Sequence, residues 1–212
     1  MRRWYPMLLI AIAIAVSLAV YPQLPDRVPT HWNVRGEVDG WSSRAFGAFL
    51  IPIIMIAVAV LTPLLPKLDP RRSNYAKFEP TYWFTINLVL TFMLGVHFMT
   101  LAVTLGADIP VVRVIPFGVG ALFAIIGNVM PRTRSNWSFG IRTPWTLSSD
   151  RVWERTHRVG GWLMFAGGLI VMAGAIAAPT HLIAPITICS ILGATAGAFI
   201  YSYAAWRQEQ RP

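Results

Sequence analysis

"WFTINLVLTFMLGVHFMTLAVTL", residues 83–105, contains no Lys, Arg, Asp or Glu. A helix of this length, rising 1.5 Å per residue, crosses the ~30 Å hydrocarbon core of a bilayer. Five further apolar runs lie near residues 4–21, 46–66, 109–130, 159–178 and 182–204. Together the six occupy more than half of the 212 residues and leave no room for a sizeable soluble domain. A composition 55% hydrophobic and only 13% charged therefore describes surface that faces lipid or other helices. The reading predicts an all-α membrane protein with six transmembrane helices. Met1, Arg2 and Arg3 followed by an apolar run resemble the start of a signal peptide, yet Tyr21, Pro22 and Gln23 offer no cleavage site of small residues. A retained first helix is expected.

Basic residues sort by side. Arg2 and Arg3, Lys67 to Lys77, Arg132 to Arg158, and Arg207 with Arg211 supply fourteen of the 18 Lys and Arg on one side of the predicted spans. Arg27, Arg35, Arg44 and Arg113 fall on the other. The positive-inside rule then places both termini in the cytoplasm, with a compact external loop after the first helix and an Arg-rich cytoplasmic loop at 131–158. The chain is divided into 1–66, the first two helices with the external loop, and 67–212, a four-helix region. The net charge of +9 becomes a cytoplasmic property, so membrane lipid with anionic headgroups is the expected partner and direct nucleic-acid binding is not. Cys189 stands alone and cannot form an intramolecular disulfide; it is expected to be a small buried packing residue.

The long loops are where chemistry would sit. In the external loop Pro22, Pro25 and Pro29 forbid a regular helix, and Gly36 and Gly40 permit tight turns, which predicts a compact, turn-rich segment. His31, Glu37 and Asp39 could be brought together there, but their spacing matches no established metal motif, and neither a metal nor a cofactor is expected. Trp32 and Trp41 suit the headgroup level. In the cytoplasmic loop a helix is expected to start at Ser148 or Ser149, where a hydroxyl caps free amides and Asp150 suits the positive end of the dipole. Within it Trp153, Thr156, His157 and Gly160 share one face, while Glu154 is placed to pair with Arg158. Glu154 and His157 have the three-residue spacing of carboxylate-bridged metal sites, but one such pair is weak. The short turns at 106–110 and 178–181 imply helical hairpins. Inside the spans the polar residues are Asn87, His97 and Asn128, with no carboxylate well inside the apolar runs, which argues against ion-coupled transport. His97 is expected to be a neutral imidazole bonded to a neighbouring helix.

Two stretches resemble known families. "LPDRVPTHWNVRGEVDGW" (24–41) resembles a recurrent bacterial domain of unknown function with a Pro-rich start, a His, an Asn and Gly-x-x-Asp-Gly. "GIRTPWTLSSDRVWERTHRVGGW" (140–162) is similar to the signature of the SdpI family, immunity proteins named for the sporulation-delaying peptide toxin system. The resemblance implies a non-enzymatic membrane protein of the bacterial inner membrane that protects against a membrane-active peptide toxin and holds a cytoplasmic repressor. It implies external ligand-facing positions at His31, Asn33, Gly36, Asp39 and Gly40, to which the loop reading adds Glu37. On the inner side it implies Asn128, Gly140, Arg142, Thr143, Pro144, Trp145, Trp153, Thr156 and His157, with Glu154 added by spacing. The alternatives are a metal-dependent membrane enzyme and a small transporter or channel lined by His97.

Overall fold

The computed structural model describes residues 4–211. Arg2 and Arg3, counted above toward the inner side, lie outside the described residues. The elements are α1 (Tyr5–Val20), β1 (Arg27–Trp32), β2 (Val38–Ser43), α2 (Arg44–Leu61), α3 (Leu65–Leu68), α4 (Glu79–Thr104), α5 (Val111–Val129), α6 (Pro144–Ser148), α7 (Asp150–Ala177) and α8 (Thr180–Glu209). All but α3 and α6 among the helices are long and apolar enough to cross a membrane, so six spans stand where six apolar runs were read. Helix α7 begins at Asp150, well before the run at 159. The Ser149 hydroxyl accepts from the Val152 amide at 3.3 Å and starts the helix there.

The all-α expectation needs one correction. The loop after α1 carries an antiparallel hairpin, β1 with β2, registered Arg27 to Ser43 and Trp32 to Val38 with irregularities on either side of His31. Its turn is made by Asn33: the side-chain oxygen accepts from the Arg35 and Glu37 amides at 2.8 and 3.1 Å, and Gly36 takes φ +81°. Val28 is fully buried against Gly47 of α2, where any Cβ would lie 2.4 Å from the valine side chain. An ion pair of 2.7 Å between Arg44 and Asp26 fixes the base of the hairpin to the start of α2.

The spans pack as two groups of three. Helices α1, α2 and α4 contact one another, while α5 and α8 both pack on α7; α4 and α5 touch only modestly despite the short turn between them. In lipid no hydrophobic force drives helices together, so close contact needs small residues. The antiparallel pair α5 and α7 supplies them at seven-residue spacing: Gly127 meets Gly161 and Gly120 meets Gly168. A Cβ on Gly161 would lie 2.6 Å from the Gly127 carbonyl oxygen, so the two backbones are in direct contact. At the hairpin end Arg113 of α5 donates to the carbonyls of Ala175, Ile176 and Ala178 at 2.9 to 3.2 Å and caps the end of α7. Cys189 corrects another expectation: it is exposed, and among the described residues no helix covers that face of α8.

Candidate functional site

The hairpin and the nearby ends of α4, α5 and α8 enclose a cleft of about 400 Å³. Its walls are mostly apolar: Val96 and Met99 from α4, Val112 and Ile115 from α5, Ile183 and Ile188 from α8. Polar groups come from Thr30, His31 and Asn33 of the hairpin and from Thr187. Of the residues expected to face a ligand, His31, Asn33 and Gly36 line this cleft; Glu37, Asp39 and Gly40 brace those that do. Asp39 Oδ1 lies 2.5 Å from His31 Nδ1. Gly40 is required because a Cβ there would stand 2.7 Å from the His31 Cβ. The Glu37 carboxylate accepts from Asn33 Nδ2 at 2.8 Å and Arg35 Nε at 3.0 Å, and these contacts hold it below its ordinary pKa. Glu37 thus turns to Asn33 and Arg35 while His31 turns to Asp39. Among the described residues no three His, Cys, Asp or Glu side chains converge as a metal site would require.

At the opposite, arginine-rich end the loop between α5 and α7 is held from within. Gly140 takes φ +106° and sits so close to His157 that a Cβ would lie 2.4 Å from Nε2. This approach lets the Ile141 amide donate to His157 Nε2 at 2.9 Å, while Nδ1 lies 2.8 Å from the Trp153 carbonyl. Both bonds form only with the proton on Nδ1, so His157 is the neutral tautomer that reads one amide and one carbonyl. Its ring stacks on Trp153 at 4.0 Å, and Trp153 Nε1 donates to the Thr133 carbonyl. Thr143 and Thr146 form a reciprocal cap for α6, with Pro144 in its first turn; Thr143 also bonds Ser202 of α8 at 3.1 Å. Trp145 packs on Phe199 and Tyr203. Trp153, Thr156, His157 and Gly160 are all buried on one face, as their spacing predicts. Glu154 is exposed and reaches Arg134 at 4.0 Å rather than Arg158 among the described residues, so it does not converge with His157. Arg142 is exposed as well, held among the described residues by a 2.8 Å bond to the Trp137 carbonyl. Asn128 is exposed on α5.

Sequence reasoning missed the buried carboxylate beneath this loop. Asp69 is only 4% exposed and accepts from the Arg71 and Trp137 amides at 2.8 Å each, the Tyr75 hydroxyl at 2.9 Å and the Ser138 hydroxyl at 3.3 Å. Beside it Asn136, fully buried, donates to the Arg134 and Phe139 carbonyls and accepts from the Ser138 and Phe139 amides. Arg71 completes the clasp through Ser135 and the Leu147 carbonyl. Burial, with the Asp69 carboxylate adding to it and Ser138 opposing, raises the Tyr75 phenol above its ordinary value. The short link before α4 is therefore bolted to the Arg-rich loop. No local pattern announces these partners, which lie more than 60 positions away; Asp-Pro-Arg-Arg at 69–72 reads only as a turn.

Inside the first helix group, Pro52 of α2 has no N–H to give the Ala48 carbonyl four residues earlier. Ser17 of α1 supplies one, its hydroxyl lying 2.7 Å from that oxygen, and His97 Nε2 of α4 lies 2.9 Å from Ser17 Oγ. A proton on Nε2 donated to Ser17, and the Ser17 proton donated to Ala48, pairs the Ala48 carbonyl and ties three helices together, while His97 Nδ1 has no hydrogen-bond partner among the described residues. His97 is fully buried and lines neither the cleft nor an open path. Asn87 is also buried, with no hydrogen-bond partner for either amide atom.

Residues 132–202, which contain the braced loop, α7 and most of α8, match the SdpI/YfhL protein family. This part of the chain is similar to the SdpI family. Residues 8–56, which contain most of α1, the hairpin and much of α2, match a domain of unknown function designated DUF1648. Immunity protein SdpI of Bacillus subtilis (strain 168) is 26% identical over 164 residues, covering 77% of this chain and 76% of that protein. No solved structure matches. The SdpI-family region holds every arginine-rich-end residue read from the motif except Asn128, and DUF1648 holds every residue of the hairpin set. With six apolar helices and this relative, the chain is a multi-pass membrane protein.

Proposed function

We propose that this chain is an inner-membrane immunity protein of SdpI type whose hairpin end faces outward and receives a membrane-active peptide. The observation that carries the reading is the apolar cleft beneath the hairpin, which His31, Asn33 and Gly36 line. Such a peptide has an apolar face and a polar backbone. The cleft offers Met99, Val112, Ile115 and Ile183 to the first, and the Asn33 and Thr187 side chains to the second. Arginine bias supports the orientation. Capture at the outer surface keeps the peptide from inserting into the bilayer.

The test is survival of toxin-sensitive cells expressing the chain and exposed to the sporulation-delaying peptide. Wild type protects, and Ala184→Phe, which fills the cleft, abolishes protection. Ile200→Phe, about 24 Å further along α8, leaves it intact. Unchanged killing at confirmed membrane abundance of the wild type refutes the proposal.

The signalling half of the function rests on Arg142, an exposed charge in the loop motif, bonded to the carbonyl of Trp137, which is 53% exposed. Exposed Arg and Trp side chains are enriched at protein interfaces. The two serve to hold a cytoplasmic repressor at the membrane. Pull-down from cytosol of such a repressor by wild type, lost in Arg142→Ala, supports it; equal recovery refutes it.

A further inference from the structure

The crossing of α5 and α7 leaves an open crevice of about 100 Å³ on the outer surface of the bundle, lined by Gly127, Asn128, Pro131, Gly161, Trp162 and Phe165. It exists because Gly127 and Gly161 bring the two backbones together, so the flanking side chains stand proud of a shallow floor. Its location is at the arginine-rich ends of both helices: Gly161 lies against Met130 and Pro131, where α5 gives way to the loop. Three features set this crevice apart from an ordinary lipid-facing groove. Trp162, 67% exposed, forms one wall and marks the headgroup level. Asn128 places an exposed amide at the same level, where hydrocarbon alone would offer it nothing. Arg158 is one turn before Trp162 on the same face of α7, Arg155 one turn further, and Arg132 directly follows Pro131; all three are exposed.

We infer that the α5/α7 crevice is a binding site for one anionic phospholipid of the adjoining leaflet, with an acyl chain along Gly127, Gly161 and Phe165 and its phosphate between Arg132, Arg158 and the Asn128 amide. Charge complementarity selects the occupant. Three exposed arginines, Arg132, Arg155 and Arg158, stand on the turns that adjoin the crevice, and the Glu154 carboxylate on the same stretch is paired with Arg134. Guanidinium binds phosphate oxygens through paired donors, and an amide donates a further bond. The apolar floor excludes a free inorganic anion as the natural ligand, because only a molecule carrying both a chain and a phosphate fills both halves. The lipid would also cover the glycine contact on which α5 and α7 depend, so its binding stabilises that helix pair.

The experiment is native mass spectrometry of the delipidated full chain in detergent, titrated with phosphatidylglycerol, with phosphatidylcholine of the same chains, and with inorganic phosphate as competitor. Wild type is expected to retain one phosphatidylglycerol in preference to phosphatidylcholine, and phosphate at millimolar level does not displace it. Each arginine near an anionic surface contributes about fivefold, so Arg132→Gln with Arg158→Gln together weakens retention roughly twenty-five-fold. Arg207→Gln, a basic residue elsewhere at that end, leaves it unchanged. Trp162→Ala, which opens one wall, lowers affinity for both lipids. Equal retention by the double variant, equal binding of the two lipids by wild type, or full displacement by free phosphate each overturns the assignment.

Discussion

Ser17→Ala tests whether one hydroxyl carries the junction of α1, α2 and α4. The substitution leaves the Ala48 carbonyl with no donor, because Pro52 cannot supply one, and leaves His97 Nε2 with only the Ala13 carbonyl at 3.3 Å. A buried carbonyl without a partner costs about 1–3 kcal/mol, and an interhelical hydrogen bond in a membrane protein contributes about 0.6 kcal/mol. The sum is roughly 2–3 kcal/mol. Pro52→Ala restores an amide at the position that normally donates to Ala48, so in that background Ser17→Ala loses only the His97 bond and costs about 0.6–1 kcal/mol. The four proteins form a double-mutant cycle, read by unfolding in mixed micelles of increasing dodecyl sulfate content. The expected coupling is about 1.5 kcal/mol. Additivity within about 0.5 kcal/mol would show that Ser17 and Pro52 act independently and would refute the reasoning.

Three further outcomes follow from the geometry. Asp69→Leu leaves the Trp137 and Arg71 amides unpaired and the Tyr75 hydroxyl with only the Asn136 oxygen at 3.2 Å; it should cost about 3–5 kcal/mol in the same unfolding titration and open the 131–149 segment to protease, whereas intact protection would contradict the clasp. Gly140→Ala meets both a φ of +106° and a Cβ 2.4 Å from His157, and should cost about 3 kcal/mol and shift the His157 ring resonances; a change under about 1 kcal/mol would contradict it. Glu37 has a lowered folded pKa, so its contribution to the hairpin turn is complete above the ordinary value of 4.5 and is lost as pH falls through the folded value. A carboxyl-carbon NMR titration should show its midpoint below 4.5 in wild type and moved upward by Asn33→Ala; a wild-type midpoint at or above 4.5 contradicts the contact.

The spans were legible because hydrocarbon imposes one requirement, about 20 apolar residues in a helix, and six runs meet it. The start of α7 at Ser149 was legible because capping is local. The hairpin was not: Pro29 and the irregularities around His31 break the alternation that reveals a strand, and its pairing is secured by Val28 against Gly47, a contact between separate elements. Asp69 was invisible for the same reason, since two of its four donors come from residues 137 and 138. In the arginine-rich motif nothing in the pattern of residues separates those that brace the loop, Gly140, Thr143 and His157, from Arg142, which is exposed. Cys189 and Asn128 show the remaining ambiguity: an apolar run states that a helix is in the membrane but not which face meets lipid.

Photo-crosslinking in living cells tests the central claim most directly. A benzophenone amino acid placed at Val34, exposed at the cleft, should form an adduct with the sporulation-delaying peptide added from outside, and the Ala184→Phe background should abolish it. An adduct that forms instead at Trp137 of the arginine-rich loop, with none at Val34, would contradict both the orientation and the cleft.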